Sequence, residues 1–233
     1  TPDFEKFHFY KNGNIIIIAT CGLRLDNESI RIAVGLRLGC KLCEPHKCPC
    51  GVQVDTLGSH GLSCRQSSGR SARHFQLNDC IWRALQRADI PSAKEPLGLI
   101  RTDGKHPDGL TLIPWKGGKS MTWDATVTDT VAESYLSTTA VEAGAAAAAA
   151  GRKEAKYAQI INTHIFVPLA FETLGPINSK GATFLSELGR RISTCTGDPR
   201  ETSFIFQRLS VTIQRFNRIA FEGSFIHTAD SDS

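Results

Sequence analysis

The sequence predicts an α/β fold in which a helix is followed by three strands, a helix, a strand and further helices. The first helix is clear at residues 71–89, where Ser71 is a candidate cap and Pro91 ends the pattern. Its apolar face carries five side chains, namely Phe75, Leu77, Ile81, Trp82 and Leu85. These side chains predict one broad buried face.

Short apolar segments after this helix indicate strands. They lie at Leu97–Ile100, Leu110–Pro114 and Met121–Val127, and the turn KGGK at 116–119 predicts a hairpin between the last two. A further apolar run at His164–Glu172 reads as a buried strand, and its Pro168 favours an edge strand or a bulge.

The alanine-rich stretch at 141–161 predicts a helix, because alanine is the best helix former. Its poly-alanine block is also compatible with a flexible low-complexity tract, but small side chains suit a helix that lies close against a sheet. Two more helices are expected near Ser179–Cys195 and Thr202–Phe221. Near the start, a strand is expected at Asn14–Thr20, and residues 30–38 carry an ambiguous period in which Ile30, Val34 and Leu38 share a helical face.

Five of the eight cysteines fall between residues 40 and 64, together with two histidines. Clustered Cys and His at this spacing are typical of a tetrahedral zinc site in a reducing compartment. The favoured ligands are Cys48, Cys50, His60 and Cys64, with glycines 51, 58 and 61 supplying bends. Cys40 and Cys43 offer a competing pair and His46 is a further candidate; buried free cysteines remain the alternative.

Two carboxylates in the predicted hairpin point to a second metal. Asp108 precedes one strand and Asp124 lies inside the next, between Trp123 and Ala125. Adjacent strands are ~4.8 Å apart, so both acids can reach one Mg²⁺ or Mn²⁺, which explains an acid among apolar neighbours. Glu95 is a candidate third acid. A turn role for Asp108 and a solvent-facing edge position for Asp124 are the alternatives.

Basic residues near these acids suggest phosphate chemistry. Between Arg65 and Lys105 there are eight Arg or Lys against four Asp or Glu, although the whole chain carries only +4. Three arginines beside the cysteine cluster are candidates for phosphate contacts, namely Arg65, Arg70 and Arg73. On the alanine-rich helix, Lys153 and Tyr157 share a face, and Lys153 or Lys156 is placed to stabilise a phosphoryl transition state. A charged helix start and a solvated helix end are the alternatives.

These motifs, in this order, resemble the PD-(D/E)xK nuclease superfamily over about residues 28–172. The sequence is most similar to the restriction-like endonuclease domain found C-terminal to the reverse transcriptase of site-specific non-LTR retrotransposons. The resemblance rests on the Cys-Cys-His-Cys set, Arg73-His74, Pro107-Asp108, Asp124, and the lysine and tyrosine of the next helix. The superfamily's lysine two residues after the second acid is Thr126 here, and His106 interrupts a tighter basic-Pro-Asp pattern.

The resemblance implies a restriction-endonuclease-like core with an N-terminal zinc knuckle and C-terminal helices. It implies a Mg²⁺- or Mn²⁺-dependent endonuclease that cuts a DNA target and leaves a 3′-hydroxyl to prime reverse transcription. Asp108 and Asp124 would hold the catalytic ion, with Lys153, Lys156, Tyr157 and Glu95 nearby, and Arg65, Arg70, Arg73 and His74 would contact nucleic acid. The resemblance further implies element RNA as a second partner, an upstream reverse transcriptase in the same polypeptide, and an intracellular site of action in the nucleus.

The expected organisation is an upstream tail at 1–39, the zinc knuckle at 40–70, the endonuclease-like domain at 71–222 and a disordered tail at 223–233. No apolar run is long enough to span a bilayer, so no membrane role is expected. The alternative function is a zinc-dependent nucleic-acid-binding module whose catalytic core has decayed. A zinc-stapled interaction domain without a nucleic-acid role is a third interpretation.

Overall fold

The computed structural model describes residues 23–99, 106–130 and 143–226. Over these ranges the chain is a mixed α/β structure with six α-helices and two β-sheets. The helices are α1 (Asn27–Leu38), α2 (His60–Ser63), α3 (Ser68–Arg87), α4 (Gly144–Lys156), α5 (Ser179–Thr196) and α6 (Glu201–Glu222). The strands are β1 (His46–Lys47), β2 (Gln53–Val54), β3 (Ser92–Lys94), β4 (Gly109–Thr111), β5 (Met121–Thr128) and β6 (Ile165–Glu172).

The larger sheet has the order β3-β4-β5-β6. The β3/β4 and β4/β5 pairs are antiparallel, which confirms the predicted hairpin, and Lys116 and Lys119 form the bridge at its turn. Strand β6 joins parallel to β5 at the outer edge of the sheet. Pro168 therefore lies in an edge strand, where a residue without a backbone N–H is tolerated.

Alternation along β5 divides its side chains between two layers. Met121, Trp123 and Ala125 join the main core, which also includes apolar residues of α3, α5 and α6. The opposite face of the sheet is covered by α4, whose Ala146, Ala149 and Ala150 pack against a small residue of β6. The alanine block thus forms a helix that lies close against the sheet, as predicted.

The first turn of α4 is held by an acid from β6. Glu172 is buried, and its Oε1 accepts the Ala146 backbone N–H at 3.0 Å. A helix N-terminus has unpaired N–H groups and partial positive charge, so a carboxylate there satisfies both. This contact fixes one end of α4 against the sheet, with the basic end of the helix at the other end of the same strand pair.

Several predicted elements are corrected by the structure. The strand expected at Leu97–Ile100 is instead a 3₁₀ turn at Leu97–Leu99, and Ser92–Lys94 forms the outer strand. The strand expected at Leu110–Pro114 is shorter and begins at Gly109. Helix α3 begins at Ser68 with Ser67 as its N-cap residue, so Ser71 is not the cap.

The apolar face predicted on α3 is only partly correct. Leu77, Ile81 and Leu85 are fully buried, and Trp82 packs against the core while partly exposed. Phe75, in contrast, is 60% exposed. Helix α4 is also shorter than predicted, because it ends at Lys156 and residues 160–162 form a separate 3₁₀ turn.

Helix α1 packs on α6 and is therefore joined to the rest of the fold. Arg37 donates to the Gln214 side chain at 3.3 Å and to the Leu174 carbonyl at 2.9 Å. The face of α1 that is buried contains Ile32 and Ala33, whereas the three residues predicted to share an apolar face are exposed, namely Ile30, Val34 and Leu38. The predicted strand at Asn14–Thr20 lies outside the described residues.

The four residues after α6 pack back onto the knuckle. Ser224 is buried, and its hydroxyl lies 3.0 Å from His46 Nε2. Phe225 stacks on the same imidazole, with ring centroids 4.1 Å apart. Most of the tail predicted at 223–233, namely residues 227–233, lies outside the described ranges.

Candidate functional site

The Cys/His cluster comes together as the spacing predicts. The ligand atoms of Cys48, Cys50, His60 and Cys64 all lie within 4.8 Å of one another. Cys48 Sγ and Cys64 Sγ are 3.8 Å apart, and Cys50 Sγ is 3.2 Å from His60 Nε2. A tetrahedral ion with zinc–sulfur bonds of ~2.3 Å needs sulfur atoms ~3.8 Å apart. The cluster therefore has the composition and the spacing to hold a metal ion such as zinc.

Tight turns bring these four residues together. The β1/β2 pair is closed by Gly51, whose φ is 91°, and Gly58 turns the chain into α2 with φ 68°. Both values lie in the region that favours glycine. Gly61 has a different role, because a Cβ there would lie 2.5 Å from the Ala220 carbonyl oxygen of α6. The knuckle is thus pressed directly onto the backbone of α6.

The competing ligands point elsewhere. Cys43 Sγ lies 3.4 Å from the Asp55 carbonyl oxygen, and Cys40 is exposed. His46 uses its two ring nitrogens on the Glu44 carbonyl and the Ser224 hydroxyl. Neither Cys43 nor His46 belongs to the cluster of four.

The thiols of the cluster differ in acidity. Burial raises the pKa of Cys48 to about 11, while the Val52 backbone N–H, followed by the neighbouring cluster side chains, lowers the pKa of Cys50 to about 7. Zinc binds thiolates, so it would release the proton from Cys48 on binding. Metal affinity of this cluster is therefore expected to fall at low pH.

Asp124 is the buried acid of the larger sheet. It is 3% exposed, in the middle of β5 on the face towards α4. Its Oδ2 forms an ion pair with Lys153 Nζ. Burial raises the pKa of Asp124, and the negative charge of Asp108 raises it further.

Asp108 faces Asp124 from the neighbouring strand. Gly109 is the partner of Trp123 in the β4/β5 register, and the same register extended by one residue sets Asp108 opposite Asp124. Asp108 Oδ2 accepts the Ala125 backbone N–H at 2.6 Å. The charge of Asp108 raises the pKa of Asp124, so the two carboxylates lie near one another.

His74 and Asn78 position Asp108 from α3. His74 Nε2 lies 3.1 Å from Asp108 Oδ2 and 3.1 Å from the Ala125 carbonyl oxygen, so this nitrogen carries the hydrogen. The bond to Asp108 raises the pKa of His74 against the opposing effect of burial. Asn78 donates to the Asp108 carbonyl at 3.4 Å and accepts the Trp123 indole N–H at 2.8 Å.

Helix α4 brings a lysine and a tyrosine to Asp124. Lys153 pairs with Oδ2, and the Tyr157 hydroxyl lies 2.9 Å from Oδ1 and 2.8 Å from the His106 carbonyl oxygen. Lys156 Nζ donates to the Tyr157 hydroxyl at 2.9 Å. Of the two candidate lysines, Lys153 contacts the carboxylate itself, and Lys156 is one step removed.

Glu95 lies beside the pair through its backbone. Its N–H donates to the Asp108 carbonyl at 3.0 Å, and its φ of 49° is a left-handed conformation that is uncommon outside glycine. The side chain is exposed. The structure thus fixes the Glu95 backbone next to Asp108.

The predicted phosphate-binding residues separate into three environments. Arg65 and Arg70 are exposed beside the knuckle. Arg73 is 1% exposed, donating to Asn217 Oδ1 at 2.6 Å and the Leu62 carbonyl at 3.2 Å. Its guanidinium joins α2 and α6 inside the protein. Arg73 is therefore not placed to contact a phosphate, which was its predicted role. His74 lies with the carboxylates.

Two contributors to this site were not predicted from the sequence, namely Asn78 and the main-chain carbonyl of His106. His74 and Asn78 are four residues apart on α3, which places them on one helical face towards β4 and β5. That spacing is visible in the sequence. The His106 contact is a main-chain interaction and leaves no pattern of side chains.

Comparison with known proteins identifies no family, since no protein-family model matches the chain and no curated protein is significantly similar to it. Along the described ranges, no helix is both long and apolar enough to cross a membrane.

Proposed function

We propose that this protein is a metal-dependent DNA endonuclease domain with a restriction-endonuclease-like core and a zinc knuckle. The observation that carries the proposal is the buried Asp124, set across the β4/β5 register from Asp108 and contacted by Lys153. A carboxylate pair on adjacent strands with a lysine beside it is an arrangement suited to phosphodiester hydrolysis.

The residues fit a divalent cation. The buried Asp124 Oδ2 lies against the Lys153 ammonium, and the pKa of this carboxyl is raised by burial and by the charge of Asp108. Two carboxylates in one partly desolvated place repel one another, and a cation relieves that repulsion. Asp108 and Asp124 would hold Mg²⁺ or Mn²⁺, which supplies Lewis-acid stabilisation of phosphoryl charge.

The surrounding side chains have distinct tasks in this proposal. His74 fixes the orientation of Asp108, and the Tyr157 hydroxyl does the same for Asp124. Lys153 neutralises charge beside Asp124 and, with a substrate phosphate present, stabilises the negative charge that develops on it. Lys153 thereby takes the place of the lysine that the superfamily carries at the position of Thr126.

Exposed arginines support DNA as the substrate. Arg65 and Arg70 present positive charge next to the knuckle, where they can bind phosphates without reading sequence. Within this proposal the domain acts in the nucleus as part of a retrotransposon-type polypeptide, and its nicked product primes reverse transcription.

The test is nicking of supercoiled plasmid with Mg²⁺ or Mn²⁺. Wild type is compared with Asp108→Asn and Asp124→Asn, and with Asp89→Asn as a matched control at an exposed acid. We expect nicking by the wild type and the control, and none by the two site variants. A folded, zinc-loaded wild type that does not nick with either ion overturns the proposal.

A nucleic-acid-binding module without hydrolysis is the second candidate. It is favoured by Thr126, which lies two residues after Asp124 on the same face of β5, where the superfamily motif has lysine. Salt-dependent DNA binding by a protein that does not nick would select this candidate.

A further inference from the structure

Helix α3 presents one aromatic ring to solvent. Phe75 is 60% exposed, although the helical period predicts it in the buried face with Leu77 and Ile81. A single exposed hydrophobic residue is ordinary on a protein surface, so the exposure alone carries no function. The surroundings of Phe75 make it a defined surface.

A lysine from β3 is held against this ring. Lys94 Nζ lies 5.4 Å from the centroid of Phe75 and 4.7 Å from that of Trp82, within the range of cation–π attraction. Asp79 forms an ion pair with Lys94, and the Trp82 indole N–H donates to the Ser92 carbonyl at 3.0 Å. We call this surface the aromatic ledge; it consists of Lys94 and the two rings that it contacts, Phe75 and Trp82.

The ledge borders the carboxylate pair. Lys94 is the strand partner of Gly109, the residue that follows Asp108, and Phe75 follows His74, which binds the Asp108 side chain. The ledge therefore lies on the α3/β3 side of Asp108, whereas Lys153 approaches from α4 on the other side. We expect a nucleic-acid strand whose phosphate reaches Asp108 and Asp124 to bring a flanking base towards Phe75.

We infer that Phe75 is a stacking platform for an unpaired nucleobase next to the phosphate at the carboxylate pair, with Lys94 as the adjacent cation. The inference rests on the proposed function and extends it to the substrate class. Base–aromatic stacking needs an open π-face and tolerates any base, so the strand at this position is single-stranded or locally unpaired. The ledge thus selects for strand conformation and not for sequence.

Binding of fluorescein-labelled single-stranded DNA, measured by anisotropy without divalent cations, tests the inference independently of cleavage. We expect Phe75→Ala to weaken binding about tenfold, which corresponds to ~1.4 kcal/mol, and Phe75→Trp to preserve it. Leu112→Ala is the matched control, because Leu112 is 61% exposed and its loss should leave binding unchanged.

Abasic oligonucleotides separate stacking from a structural effect. An abasic nucleotide is moved along the strand, and each oligonucleotide is titrated with the wild type and Phe75→Ala. Stacking requires one position at which the abasic strand binds both proteins equally, because the base and the ring form one interaction. The inference is overturned if the ratio of the two affinities is constant along the strand, if Phe75→Ala binds as the wild type does, or if no single-stranded DNA binds.

Plasmid nicking by the same preparations distinguishes this inference from the proposed function. If the protein nicks DNA but Phe75 and a base show no coupling, the stacking inference is refuted and the proposed nuclease function is supported. If coupling is found without nicking, the stacking inference is supported and the proposed hydrolysis is refuted.

Discussion

Removal of the metal from the knuckle should unfold that segment and destabilise the remainder of the protein. The loop from Cys48 to Cys64 comprises 17 residues and buries two large aliphatic side chains, Val54 and Leu62. Burying such a side chain contributes ~1.5–3 kcal/mol, whereas ordering the backbone costs ~1–2 kcal/mol per residue. The apolar contacts therefore fall well short of the ordering cost, and a structural zinc ion, which supplies ~10–16 kcal/mol, offsets much of the difference.

The loss should extend to the helical core. Without the knuckle, Arg73 loses its bond to the Leu62 carbonyl, worth ~1.5–3 kcal/mol for a charged donor, and the burial of Val54 and Leu62 is lost. At ~1.5–3 kcal/mol for each buried side chain, these contributions total ~5–9 kcal/mol. For a domain of this size each kcal/mol lowers Tm by ~2–4 °C, so we expect a fall of ~10–35 °C.

Elemental analysis and thermal unfolding followed by circular dichroism, with and without a zinc chelator, provide the assay. The purified protein should contain one zinc per chain, and Cys64→Ser should lose it and melt like the chelated protein. Cys43→Ser and Cys195→Ser are controls that should retain zinc, because neither residue belongs to the cluster. A chelated protein that melts within ~2 °C of the untreated one would refute this reasoning.

Further predictions concern the acids, the lysines and the glycine contacts. Lys153→Ala should reduce the rate of plasmid nicking by ~100-fold or more and Lys156→Ala by much less, and equal losses would contradict the assignment of Lys153. Because the pKa of Asp124 is raised, Mn²⁺ affinity should strengthen as pH rises through that pKa, by up to about tenfold per pH unit, when measured by calorimetry. Asp124→Asn should weaken Mn²⁺ binding and flatten its pH dependence. Gly61→Ala places a Cβ against the α6 backbone and should cost ~2 kcal/mol or more in urea unfolding. Gly98→Ala, which meets open space, should cost little, and similar losses in both variants would argue against the close packing.

The local parts of the fold and site could be predicted from sequence. The Cys/His cluster comes together as predicted because its four residues lie within one short loop, where spacing and glycines define the geometry. The register of the hairpin brought Asp108 and Asp124 together as expected, since a short turn fixes which residues face one another. The shared face of Lys153 and Tyr157 could be predicted because the two residues are four positions apart in a helix.

Long-range packing explains the residues that were misplaced. Arg73 is buried by Asn217, 144 positions later, and no local pattern encodes that contact. β3 is a strand because β4 pairs with it, although Ser92–Lys94 shows no apolar alternation. Phe75 fits the helical period of apolar residues, but the period does not show whether another element covers that part of α3. The endonuclease assignment stays a prediction because no family match or ligand tests it.

The contact between the knuckle and α6 has a consequence for how the chain matures. The metal ligands lie in the first third of the sequence, whereas the surface under Gly58 and Gly61 belongs to Ala220 and Phe221. During synthesis the ribosome releases the ligands long before it makes that surface. The nascent knuckle can bind a metal ion before α6 is made. The surface on which the knuckle packs forms only when α6 emerges and folds back onto the domain. A chain interrupted before α6 keeps every ligand and lacks the surface on which the knuckle rests.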